Sequence, residues 1–216
     1  MPAPGDGYLP NVGISDTTQF TDMTLYKKGL VHFCMCPTGS EEAVYYVTNC
    51  TWNRGSPDLT MYHGSDKNSP IIAVGHLTRC STNTVGVGDY SKADTDKAMT
   101  WETLQCSNKW SYAKYNYDFT FGEKKIRCKF EWRRVKRCPY ILQLVELSNP
   151  DIVLGAFLPG PGFKMKIRGR ILVKKGYGED WERMAMLTGL VLLELMRRRV
   201  RPLRTTTVTS LMTEQK

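Results

Sequence analysis

The chain has 216 residues, 41% of them hydrophobic, and a formal net charge of +9. This length and composition suit one large globular domain or two small ones. The seven cysteines are odd in number and irregularly spaced, which argues against a disulfide framework and for reduced thiols.

The opening MPAPGDGYLPNVGISD has neither the basic start nor the apolar run of a secretory leader, so the cytosol is the expected compartment. Charge is uneven. Residues 1–108 hold 7 Lys and Arg against 11 Asp and Glu, net −4, whereas residues 109–216 hold 23 against 10, net +13. Attraction for phosphate-bearing partners, an anionic membrane surface or nucleic acid, therefore belongs to the second half. The alternative is that these side chains only solubilise exposed strand faces.

Residues 1–20, rich in Pro, Gly, Asp and Thr, read as a mobile arm. From Met23 the signal changes to short β-rich runs. Thr24 to Phe33 and Ala43 to Cys50 flank a turn-rich stretch, and Leu59 to His63 and Ile71 to Leu77 form a hairpin. Thr78 to Val87 can pair again, and Gly88 to Asp96 reads as a surface loop. The clearest hairpin follows. Tyr115, Tyr117, Phe119 and Phe121 alternate with polar residues, as do Ile126, Cys128, Phe130 and Trp132 after the turn. A further pair, Tyr140 to Leu147 and Ile152 to Leu158, is joined by a predicted turn at Ser148-Asn149-Pro150-Asp151. The last strand sets Phe163, Met165, Ile167, Ile171 and Val173 on one side and Lys164, Lys166, Arg168 and Arg170 on the other.

Residues 179–200, EDWERMAMLTGLVLLELMRRRV, read as one long helix with acidic residues at its start and arginines at its end, matching its dipole. Thr188, Gly189 and Glu194 do not line up as a polar face, so this helix must be buried all round. Its apolar run is too short for a bilayer span of about 20 residues. Ten to twelve one-faced strands followed by such a helix give a mainly β (α+β) fold: a closed antiparallel barrel of about 12 strands around a central C-terminal apolar helix. The barrel is expected over 21–201 and a loose tail over 202–216. Gly189 is expected to admit a close neighbour, and Glu194 to sit near the barrel mouth, paired with an arginine or reaching water.

The segments YNYDFTFGEKKIRCKFEW, YILQLVELSNPDIVLGAF and KMKIRGRILVKKGYGEDWERMAMLTGLVLLELMRRR resemble the tubby C-terminal-like superfamily. Tubby proteins, phospholipid scramblases and plant LURP-one-related proteins share that fold, and the chain is most similar to uncharacterised fungal proteins with this domain. The resemblance implies a non-enzymatic module, with phosphoinositide headgroups bound by surface Lys and Arg. The acylated cysteine-rich segment and calcium-binding loop of the scramblases are not seen in this sequence, so scrambling is not implied.

The candidate headgroup-binding residues are Lys164, Lys166, Arg168 and Arg170, joined by Lys125, Arg127 and Lys129 if those lie on a neighbouring strand. Arg133, Arg134, Lys136 and Arg137 beside Trp132 read as a surface loop or a membrane or nucleic-acid contact. Arg197 to Arg199 read as a helix cap, with a nuclear address or a membrane anchor as the alternatives. Nucleic acid is not the expected partner, and no protein partner is indicated. Cys34 and Cys36 with His32 lack zinc-knuckle spacing and read as core residues. No serine or carboxylate constellation surrounds His63 or His76, and no glycine-rich loop completes a phosphate-binding pattern, so neither catalysis nor a cofactor or metal is expected.

Overall fold

Alternating apolar positions give twelve strands in the computed structural model of the chain, which describes residues 12–29, 31–50, 56–78, 82–92, 98–107, 113–122, 124–135, 138–160 and 167–213, excepting the side chains of 139 and 200–213. In chain order they are β1 (Phe20–Lys28), β2 (His32–Pro37), β3 (Tyr45–Asn49), β4 (Leu59–His63), β5 (Ile71–His76) and β6 (Thr82–Gly88). β7 (Met99–Cys106), β8 (Lys114–Phe121), β9 (Ile126–Val135), β10 (Cys138–Glu146), β11 (Asn149–Pro159) and β12 (Ile167–Lys174) follow. Each strand pairs antiparallel with its neighbours in sequence. β12 returns to β1, with Phe20 opposite Lys174 and Leu25 opposite Gly169, so the barrel closes.

The helix α1 (Glu179–Thr213) runs up the interior. Trp181, Met184, Ala185, Met186, Leu187, Leu190, Val191 and Leu192 are each no more than 2% exposed, although they point in all directions around its axis. They meet inward side chains from the wall, among them Leu25, Met35, Val47, Met61, Leu104 and Phe130. Burying one such large apolar side chain stabilises by about 1.5–3 kcal/mol. Close approach depends on small residues. A Cβ on Gly189 would stand 2.8 Å from Ile171 Cδ1 and 3.2 Å from Trp132 Cζ2, and one on Gly75 would stand 3.0 Å from Val191 Cγ2.

The start and the middle of α1 are tied to the wall. At its start the Thr21 hydroxyl donates to Glu182 at 2.8 Å. Near the opposite mouth the buried Glu194 accepts from Arg197 Nε at 2.6 Å and from Arg198 Nε at 2.8 Å, while Arg198 Nη2 reaches Asp58 at 2.7 Å. Burial pushes the Glu194 carboxyl up, but the guanidinium bonds outweigh it and hold its pKa below the ordinary glutamate value. Arg199 Nη2 donates to the Tyr115 hydroxyl at 2.5 Å. The arginine run thus latches the helix to the rim; because α1 continues to Thr213, these arginines lie within the helix and do not form the cap at its end that had been expected.

Several local expectations are corrected. The Thr24–Phe33 run is two strands, because Gly29 takes a φ of 64° and turns the chain between β1 and β2. The arm is docked from Val12 onward. Val12, Ile14 and Phe20 lie on an outer apolar patch made by Ile141, Ala156, Leu158 and Leu172, and Gln143 Nε2 donates to the Val12 carbonyl at 2.7 Å. The turn between β10 and β11 is Leu147-Ser148, with Glu146 opposite Asn149, so Pro150 falls within β11. α1 continues past Pro202 to Thr213, where an end at Val200 and a loose tail had been expected. A proline removes one backbone bond and kinks a helix without having to end it. No helix among the described residues is long and apolar enough to cross a membrane.

Candidate functional site: the outer wall of the barrel

With the interior occupied by α1, functional chemistry falls to the outside. Two rows of cations sit there on separate strands. On β12, Arg170 points outward opposite Thr24 and grips Asp22 of β1 with both arms of its guanidinium, its Nε at 2.7 Å from Oδ1. Arg168 is half-buried two residues earlier, and the candidates Lys164 and Lys166 lie outside the described residues. On β9, Arg127 and Lys129 project outward opposite Thr120 and Asp118, and Lys125 stands just before the strand in a turn at φ 50°. All three are exposed.

The two rows do not adjoin. β10 and β11 lie between β9 and β12, so the rows are roughly 14 Å apart at ordinary strand spacing. Neither Arg127 nor Arg170 is left to attract a partner by itself, because each is already held by carboxylates of the chain. The second basic run divides similarly. Arg133 points outward and donates to the Pro150 carbonyl at 2.9 Å. Trp132, by contrast, faces inward and donates its indole N–H to Thr188 Oγ1 at 2.9 Å, so it takes no part in a surface site. Lys136 and Arg137 lie outside the described residues. Cys34 and Cys36 are buried as expected, but on the outside of the wall, where they pack with Tyr26, Tyr46 and Tyr62. Burial raises both thiols, which keeps them protonated.

Two features remain. The first is a pair of neighbouring hairpin ends. The turns β8–β9 and β10–β11 lie on adjoining strands at the same end of the barrel, where the Leu147 N–H donates to the Lys129 carbonyl at 2.9 Å. They carry three of the four exposed large hydrophobics among the described residues: Ile126 (58%), Leu147 (39%) and Ile152 (44%). Lys124, Lys125 and Lys129 are exposed beside them. In the β10–β11 pair the register passes from Val145–Val153 to Glu146–Asn149, so residues 150–152 bulge outward and expose Ile152.

The second is a cleft where the wall parts. β7 and β8 have eight residues each, yet only Gln105–Asn116 and Cys106–Tyr115 pair between them. The strands splay beyond that point and leave a groove of about 340 Å³ lined by Trp101, Glu102, Thr103, Asn116, Asp118 and Arg127, with Lys129 at its border. Arg127 spans the gap, its Nε donating to Asp118 at 3.1 Å and its Nη2 to Glu102 at 3.2 Å. Glu102 is only 8% exposed because it pairs opposite the inward-facing Val85. Burial raises its pKa, Arg127 counteracts that shift, and the Asp118 charge adds to it. Buried Trp101 Nε1 and Asn116 Oδ1 have no hydrogen-bond partner among the described residues.

Arg127 and Lys129 were foreseen as candidates, but as a basic face. Glu102 and Trp101 were missed because no strand was placed between the loop ending at Asp96 and Tyr115, where β7 lies. The period-2 signal was present in Trp101, Thr103 and Gln105 alternating with Leu104 and Cys106, interrupted by a carboxylate on the apolar side. Among the described residues no cluster of three or more His, Cys, Asp or Glu side chains is arranged to hold a metal ion. No protein-family model, curated protein or solved structure matches the chain.

Proposed function

We propose that this chain is a non-enzymatic, tubby-like binding barrel that docks on anionic phospholipid, phosphoinositide headgroups included, through the β8–β9 and β10–β11 hairpin ends. What carries this reading is Ile126, Leu147 and Ile152 exposed beside Lys124, Lys125 and Lys129. Apolar side chains that enter the headgroup layer, ringed by lysines that meet lipid phosphate, are the composition of an interfacial contact. Each lysine near an anionic surface contributes about 1 kcal/mol, screened by salt. The helix-filled interior supports a non-enzymatic role, since it leaves α1 where a substrate chamber would be. The expected setting is cytoplasmic with peripheral membrane association.

Co-sedimentation with phosphoinositide-containing liposomes tests the reading. Binding at low salt that weakens in Ile126→Asp and in the Lys124→Glu, Lys125→Glu double variant is expected. No binding at low salt would remove it. The second reading, a protein-interaction or structural barrel with no lipid ligand, is favoured by the self-pairing of Arg127 and Arg170. It predicts that the lysine reversals leave localisation and partners unchanged.

A further inference from the structure

The cleft between β7 and β8 shares only Lys129 with the lipid reading. It holds two carboxylates, Glu102 and Asp118, and two cations, Arg127 and Lys129, so its formal charge balances to zero. A phosphate ligand is disfavoured there. Arg127 commits both its Nε and its Nη2 to the carboxylates, and those carboxylates would repel an anion. A metal cation is disfavoured as well, because the guanidinium already stands between the two acids. An inserted peptide strand would have to displace Arg127, whose side chain crosses the gap from β9 over β8 to β7.

What remains is a ligand that both donates and accepts hydrogen bonds and carries no charge. Its hydroxyls can donate to Glu102 and Asp118 and accept from Lys129. Trp101 supplies an aromatic surface on the same wall. It packs so closely over Gly86 that a Cβ there would stand 2.7 Å from its ring carbons, which fixes the indole in place. The groove volume lies at the small end of the range for ligand sites, about 300–1,000 Å³. We infer that the β7–β8 cleft binds a neutral polyhydroxylated ligand, a saccharide of one or two rings, held between Trp101 and the Glu102–Arg127–Asp118 bridge.

The test uses the full ¹⁵N-labelled chain without vesicles, so its outcome is independent of the lipid reading. Glucose, galactose, mannose and N-acetylglucosamine are titrated singly to tens of millimolar, and inorganic phosphate is titrated as the contrast. At least one sugar is expected to give saturable shifts at the Trp101 indole and at the Thr103 and Asn116 amides. Thr103→Arg, on an exposed residue of the groove rim, should retain the wild-type melting temperature and weaken that sugar about tenfold or more. If none of the sugars moves these signals, if phosphate moves them instead, or if folded Thr103→Arg binds as well as wild type, the assignment is overturned.

Discussion

Trp132 and Thr188 join the wall to the central helix: the indole N–H of one donates to the hydroxyl of the other at 2.9 Å, with both residues fully buried. Thr188 in turn donates to the Ala185 carbonyl at 3.0 Å, so its hydroxyl is used in both directions. Replacing Thr188 by Val keeps the shape and leaves the Trp132 N–H without an acceptor inside the core. That should cost about 1–3 kcal/mol in denaturant unfolding. A change below a few tenths of a kcal/mol would mean that the bond does not matter to the fold.

Gly189 follows Thr188 and faces the same ring. A large side chain there must push aside Ile171 and Trp132 together, so Gly189→Leu should lose about 3 kcal/mol through overpacking. Gly189→Ala is a finer probe. Its gain in helix propensity, about 1 kcal/mol, offsets much of the contact with the flexible Ile171 Cδ1, and its unfolding midpoint should stay near that of wild type.

Glu194 gives the latch a pH dependence. Its pKa in the folded chain lies below the unfolded value because the bonds from Arg197 and Arg198 overcome burial. A depressed carboxylate contributes stability that is fully present above the unfolded pKa and is lost as pH falls through the folded one. Melting temperature should therefore hold near neutrality and fall as the pH drops below the ordinary glutamate range. Glu194→Gln should be less stable near neutrality and lack that component of the acid transition. Identical acid profiles for the two proteins would contradict the assignment.

Val12 anchors the N-terminal strap to the outer patch. At 1% exposure it is as buried as the core, and Gln143 holds its carbonyl. Val12→Asp should release the strap and uncover Ile141, Leu158 and Leu172. A loss of about 2 kcal/mol and faster cleavage by protease before residue 20 are expected, while the far-ultraviolet circular dichroism spectrum stays that of the barrel.

The barrel and its central helix were legible because each rests on a local pattern: period-2 alternation in the strands and an apolar run with no polar face in α1. The outer wall was harder to read. Leu172, Ala156 and Leu158 alternate with inward residues and so lie on the outer face, where a strap from the other end of the chain covers them. The basic rows were visible as charge, but the carboxylates that neutralise them come from elsewhere. Asp22 lies 148 residues from Arg170 and Glu102 lies 25 from Arg127. Pairing at that separation is set by strand order, which fixes that β1 adjoins β12 and that β10 and β11 part β9 from it. The cleft was invisible for a related reason: it arises where a ladder stops, and Trp101 to Cys106 carries no break in sequence at that point.

The central claim is that α1 is the element on which the wall closes. Removing residues 181–216 deletes Trp181, Met184, Leu187, Leu190 and Val191 from the core in one step and leaves a shell whose inward side chains face an empty interior. Thermal unfolding followed by circular dichroism, beside the full chain and Leu190→Arg, is the direct measurement. The account predicts that neither altered protein shows a cooperative transition. A soluble barrel lacking residues 181–216 that melts cooperatively would show that the wall closes without the helix.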